Sequence, residues 1–123
     1  MQKKILVVDD EKDIRDLVEV TLLRSDHHVM KAESGDRAVE IARIQKPDLI
    51  LMDIMMPGNI DGLEATRILK NDPETRQCKV VLLTAKGQLA DRQEGIKAGA
   101  DDYFVKPFSP LELLRKVDQM LDR

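Results

Sequence analysis

Along this chain of 123 residues, short continuously apolar runs alternate with longer stretches in which apolar side chains recur three and four positions apart. "ILVV" at 5–8, "LILM" at 49–52 and "VVLL" at 80–83 are too short for helices and too unbroken for surface segments, so they read as buried strands. With two more polar runs, the predicted strands are Lys3–Val8, His27–Ala32, Asp48–Asp53, Cys78–Thr84 and Asp102–Lys106. A helical pattern follows each. Ile14, Leu17, Val18 and Leu22 mark the apolar stripe of the first helix, and Leu114, Val117 and Leu121 that of the last; such stripes cover a sheet. Five strand–helix units in succession predict an α/β fold with a parallel sheet, filling residues 1–123 as one domain.

The character of the strands predicts their order. A parallel strand covered on both faces is apolar throughout, whereas an edge strand tolerates polar residues. "HHVMKA" and "DYFVK" are the mixed ones, which places the second and fifth strands at the edges and the first, third and fourth inside. The doubly wound, flavodoxin-like order 2-1-3-4-5 follows, with its switch point between the first and third strands, where such sheets bind ligands at their carboxyl ends. Those ends are Asp9, Asp10 and Asp53.

Three carboxylates converging there are costly as structure alone, since two unit charges about 4 Å apart repel by roughly 4 kcal/mol at an effective dielectric near 20. Oxygen ligands without His or Cys favour a hard cation, and an open site of few carboxylates suits Mg²⁺ better than a closed calcium cage. A metal so held still needs an outside oxyanion, and a phosphoryl group attacked by an aspartate supplies one. Thr84 closes the fourth strand with a hydroxyl and Lys106 the fifth with a cation, each able to grip a phosphoryl oxygen. Pro107 follows Lys106, and a cis bond there is expected to aim the lysine inward.

Composition narrows the partners. Twenty-three acidic and 20 basic side chains give a net charge of −3 with no basic run, so direct nucleic-acid binding is not expected. The single Cys78 cannot form an internal disulfide, which fits a reducing, cytoplasmic setting. The amino terminus has only "ILVV" before two aspartates, short of a signal-peptide core or the roughly 18 apolar residues of a membrane span.

The motifs "ILVVDDE", "DLILMDIMMPGNIDGLE", "VVLLTA" and "KAGADDYFVKPFSPLELL" occur in that order, and the chain resembles the receiver domain of bacterial two-component response regulators over its whole length. The resemblance implies that Asp53 accepts a phosphoryl group from a phosphohistidine on a sensor kinase or phosphotransfer protein. It implies Asp10, Asp53 and the Met55 backbone carbonyl as Mg²⁺ ligands, Asp9 as an acidic-pocket residue acting directly or through water, Thr84 and Lys106 as phosphoryl-binding residues, and Thr84 with Tyr103 as the switch. A downstream target protein would then dock on residues of about 88–123. Met55 and Lys86 lie where the family tunes phosphoryl lifetime.

Each residue has a plainer rival reading. Asp9 and Asp10 serve equally as helix caps, and Asp53 before "MMPG" as a turn former. Thr84 fits an ordinary strand end, Lys106 a solvated surface cation, and Tyr103 an edge ring with a wet hydroxyl. His27 and His28 read as solvent-facing. A metal-dependent phosphatase usually has a second acid two residues after its nucleophile, where Met55 stands. A nucleotide switch needs a glycine-rich phosphate loop, where "DDEKD" stands, and a flavin carrier wants flanking aromatics in a chain without tryptophan. A degenerate receiver acting only as an interaction module, and a phosphorelay intermediate, remain alternatives to the switch. Between Pro57 and Asp61, "GNI" is one residue longer than the usual receiver loop; Asn59 is expected to absorb it at positive φ, and Asp61 to cap the third helix.

Overall fold

The computed structural model describes residues 2–23, 25–85 and 89–122. Five strands, β1 (Lys4–Val8), β2 (His28–Ala32), β3 (Leu49–Asp53), β4 (Lys79–Ala85) and β5 (Asp102–Lys106), alternate with α1 (Lys12–Leu22), α2 (Gly35–Gln45), α3 (Gly62–Asn71), α4 (Leu89–Ala98) and α5 (Pro110–Leu121). All pairings are parallel and the order is β2-β1-β3-β4-β5. The expected strands and order are therefore present, with four strand starts and one strand end moved by one residue. Every residue of β3 is buried, while β5 is half-buried throughout, as the interior and edge positions require.

Alternation along each strand divides the core in two. Leu6, Val8, Ile50, Met52, Val80 and Leu82 face the layer of α2 and α3, together with Ala38, Ala42, Ala65 and Leu69. Ile5, Val7, Leu49, Leu51, Val81 and Leu83 face α1 and α5, against Val18, Leu22, Leu113 and Val117. Two expected stripes are corrected here. Leu17 is 36% exposed, because Val18 and Leu22 already occupy the line of α1 that meets the sheet. In α5 the buried line is Leu113, Val117 and Met120, and Leu114 and Leu121 only flank it.

Local chemistry starts the helices where they are needed. Ser34 accepts from the Arg37 amide to cap α2, and Asp61 accepts from the Glu64 amide to cap α3 as expected. Ser109 and Glu112 form a reciprocal capping box ahead of α5, with Pro110 in its first turn. The Lys106–Pro107 bond is cis. The longer β3–α3 loop turns at Gly58, with φ 113°, and not at Asn59; glycine takes that conformation without a Cβ penalty. Asn59 instead donates to Asp36 Oδ2 at 3.3 Å, tying the extra residue to the start of α2.

Candidate functional site

The carboxyl ends of β1, β3, β4 and β5 deliver the predicted side chains to one edge of the sheet. Asp9 follows β1, and its amide donates to the Ala32 carbonyl at the end of β2 (3.1 Å). It is fully buried. Its Oδ1 accepts from the Glu11 amide (3.0 Å), its Oδ2 from Lys106 Nζ (3.0 Å), and its backbone carbonyl from Arg15 Nη1 (2.7 Å). Asp53 ends β3 at 6% exposure, with Oδ1 3.3 Å from Lys106 Nζ. Asp10 is exposed and makes no hydrogen bond or ion pair among the described residues. The helix-cap reading of this pair fails, since the residue at the N-cap of α1 is Glu11 and no side chain caps it.

One carboxylate oxygen from each of Asp9, Asp10 and Asp53 lies within 4.8 Å of the others. Ligands of Mg²⁺ at about 2.1 Å stand about 3 Å apart when adjacent and about 4 Å apart when opposite, so a small contraction converts this triad into a metal-binding set. Burial, and then the charge of Asp9, push the Asp53 carboxyl from its ordinary 3.8 up to about 6, with Lys106 offsetting part of the rise. For Lys106, burial disfavours the ammonium, yet the hydrogen bond to Asp9 and the charge of Asp53 outweigh it and hold its pKa above the ordinary lysine value. Three acids and one lysine leave the cluster short of positive charge. The acidic cluster fits Mg²⁺.

Thr84 lies on the opposite face of the sheet from Asp53 by strand alternation and is 1% exposed. Its Oγ1 is buried without a hydrogen-bond partner among the described residues, an arrangement that normally costs about 1–3 kcal/mol. Tyr103 pairs in register with Leu82, and Val105 with Thr84, so Tyr103 sits diagonally from Thr84 on the same face. The Arg92 guanidinium covers the half-buried Tyr103 ring at 4.4 Å and donates to its hydroxyl at 3.4 Å.

The Met55 side chain is 74% exposed, whereas Met56 packs into the α2–α3 core. His28 is exposed as expected, but His27 is half-buried and its Nδ1 accepts from the Lys3 amide at 3.2 Å. Lys86, and the ends Gln88 and Arg123 of the expected partner face, lie outside the described residues. Sequence reasoning missed Gly62. Its amide donates to the Ile54 carbonyl (3.0 Å), and a Cβ there would fall 2.0 Å from the Asp53 carbonyl oxygen. The available signal was a glycine in the first turn of a helix, where other residues propagate better.

No described helix is long and apolar enough to cross a membrane. Residues 5–118 match the family model for the response regulator receiver domain. The transcriptional regulatory protein ResD of Bacillus subtilis is 45% identical over 122 residues, which are 99% of this chain and 49% of that protein. The phosphate regulon transcriptional regulatory protein PhoB of Pseudomonas aeruginosa is 42% identical over 98% of this chain and 52% of its own length. The chemotaxis response regulator CheY4 of Vibrio cholerae superposes with a TM-score of 0.91 at 30% identity, covering 98% of this chain and 100% of that one. The chain spans about half the length of the curated relatives it matches. Because those relatives are named as transcriptional regulators, the expectation of no nucleic-acid contact, drawn from this chain's charge alone, gains no support from them. With the 2-1-3-4-5 sheet and an acidic triad at its switch point, the match establishes that this chain belongs to the response regulator receiver domain family.

Proposed function

We propose that the chain is a phosphorylation-activated switch in which Asp53 is the phosphoacceptor. A carboxylate oxygen of Asp53 attacks the phosphorus of a phosphohistidine on a sensor kinase or phosphotransfer protein. The O–P bond forms as the P–N bond breaks, and the imidazole leaves with the electron pair. Asp10, Asp53 and the Met55 carbonyl would hold Mg²⁺, with Asp9 contributing directly or through water. The ion supplies positive charge against the phosphoryl oxygens. Lys106, already 3.3 Å from Asp53, takes one phosphoryl oxygen, and Thr84 moves to take another.

The observation that carries this reading is the buried setting of Asp53 among Asp9, Asp10 and Lys106, a cluster short of positive charge. Phosphorylation replaces the single carboxylate charge with a group carrying up to about two negative charges and gives the orphaned Thr84 hydroxyl an acceptor. Its movement opens room for Tyr103 to turn inward, and the surface of α4, β5 and α5 shifts population toward a target-binding state. The chain catalyses its own phosphorylation and dephosphorylation and turns over no other substrate.

Incubation with Mg²⁺ and a small-molecule phosphodonor, followed by mass spectrometry, should locate the adduct on Asp53. Asp53→Asn should abolish it with the far-UV spectrum unchanged. An adduct of equal yield in that variant refutes the assignment.

A further inference from the structure

We propose that Arg15 is a positioning residue of this site, holding the Asp9–Asp10 peptide so that the Asp10 carboxylate faces Asp53; the proposal rests on the Mg²⁺-dependent phosphoacceptor reading. Arg15 sits in the first turn of α1, on the helix layer that covers the Asp9 and Asp53 face of the sheet. Its Nη1 donates to the Asp9 carbonyl at 2.7 Å, at the short end of the N–H···O range. That carbonyl lies past the last residue of β1, and the Asp9 residue is fully buried, so without Arg15 a buried acceptor loses its partner.

The bond also decides where Asp10 goes. A peptide unit is planar, so fixing the Asp9 carbonyl fixes the plane that contains the Asp10 amide and Cα. Asp9 is held at its amide and both carboxylate oxygens as well, whereas Asp10 has no hydrogen bond or ion pair among the described residues. Its direction is therefore inherited from the backbone. Arg15 forms no ion pair with Asp9, Asp10 or Asp53 among the described residues; its guanidinium is committed to a neutral carbonyl. Cationic charge near the triad repels an incoming cation, so a charge role and a positioning role predict opposite signs when Arg15 is removed.

Mg²⁺ titration by calorimetry separates the two. Arg15→Met keeps the aliphatic stem but removes charge and donor, and should weaken Mg²⁺ binding at least fivefold. Arg15→Lys keeps a cationic donor and should recover part of the loss. The Asp10 and Glu11 amide resonances should move in Arg15→Met even without metal, which gives a second readout for a fold that far-UV circular dichroism shows intact. Binding that is unchanged or tighter in Arg15→Met overturns the proposal. Asp10→Asn supplies the control: if the parent chain fails to bind Mg²⁺, or Asp10→Asn binds it equally well, the site reading itself falls and takes the proposal with it.

Discussion

Replacing Asp53 with asparagine removes an ionised group from a place that resists ionisation, and the chain should become more stable. The carboxyl rises from 3.8 to about 6, through burial first and the Asp9 charge second. At about 1.4 kcal/mol per pH unit, holding Asp53 ionised costs the folded state about 3 kcal/mol at neutral pH. The folded chain binds this proton more tightly than the unfolded one, so stability on this account falls as pH rises from about 4 to about 6 and then levels. Asparagine has no proton to lose. Asp53→Asn should therefore gain up to about 3 kcal/mol above pH 6, about half that at pH 5, and almost nothing near pH 3. With a urea dependence of about 1–3 kcal/mol/M, the gain at pH 7.5 moves the midpoint up by about 1–3 M. Mg²⁺ at about 100 times its dissociation constant should stabilise the parent by about 2.7 kcal/mol and nearly close the gap. Urea titrations followed by circular dichroism at pH 5 and 7.5, with and without Mg²⁺, measure all of this. An asparagine variant less stable than its parent at pH 7.5, or equally favoured at both pH values, refutes the reasoning.

Two further outcomes follow from contacts of Gly62 and of Tyr103. Gly62→Ala puts a Cβ 2.0 Å from the Asp53 carbonyl oxygen; the overlap should outweigh the gain of about 1 kcal/mol in helix propensity, cost about 1–3 kcal/mol of stability and slow labelling of Asp53 at least tenfold, and a variant matching its parent in urea titration and labelling rate refutes this. Tyr103 is the only tyrosine in a chain without tryptophan, so its fluorescence reports one site; a cation–π contact worth about 0.5–2 kcal/mol means that Arg92→Met should raise the population of other Tyr103 conformers about 2- to 30-fold. Acrylamide quenching should increase accordingly, and an unchanged quenching constant sinks the idea.

Much of this fold could be read from the letters because its interior strands announce themselves. "ILVV", "LILM" and "VVLL" are buried on both faces, and the polar edge strands differ for the same physical reason. Asp9, Asp10 and Asp53 could be brought together on paper because strand order determines which ends are neighbours. What stayed hidden depends on distances no periodicity encodes. The approach of Gly62 to the Asp53 carbonyl and the reach of Arg15 to the Asp9 carbonyl are properties of how helices seat on the sheet. Leu17 fits the helical spacing of α1 and is nonetheless 36% exposed, since periodicity describes a face but not its width. The turn at Gly58 displaced the one expected at Asn59 because both residues tolerate positive φ and glycine does so more cheaply.

The ion pair between Lys106 and Asp9 closes a loop of 97 residues, and this makes the chemistry a late event in the life of the chain. Contacts so distant in sequence are slow to form, because the entropy of closing the intervening segment must be overcome first. During synthesis from the amino terminus, the three acids emerge well before Thr84 and Lys106. An incomplete chain therefore carries the proposed phosphoacceptor Asp53 without the two groups that would hold the phosphoryl oxygens. On the proposed chemistry only a finished sheet receives a signal, and unfolding at either end of the chain silences it.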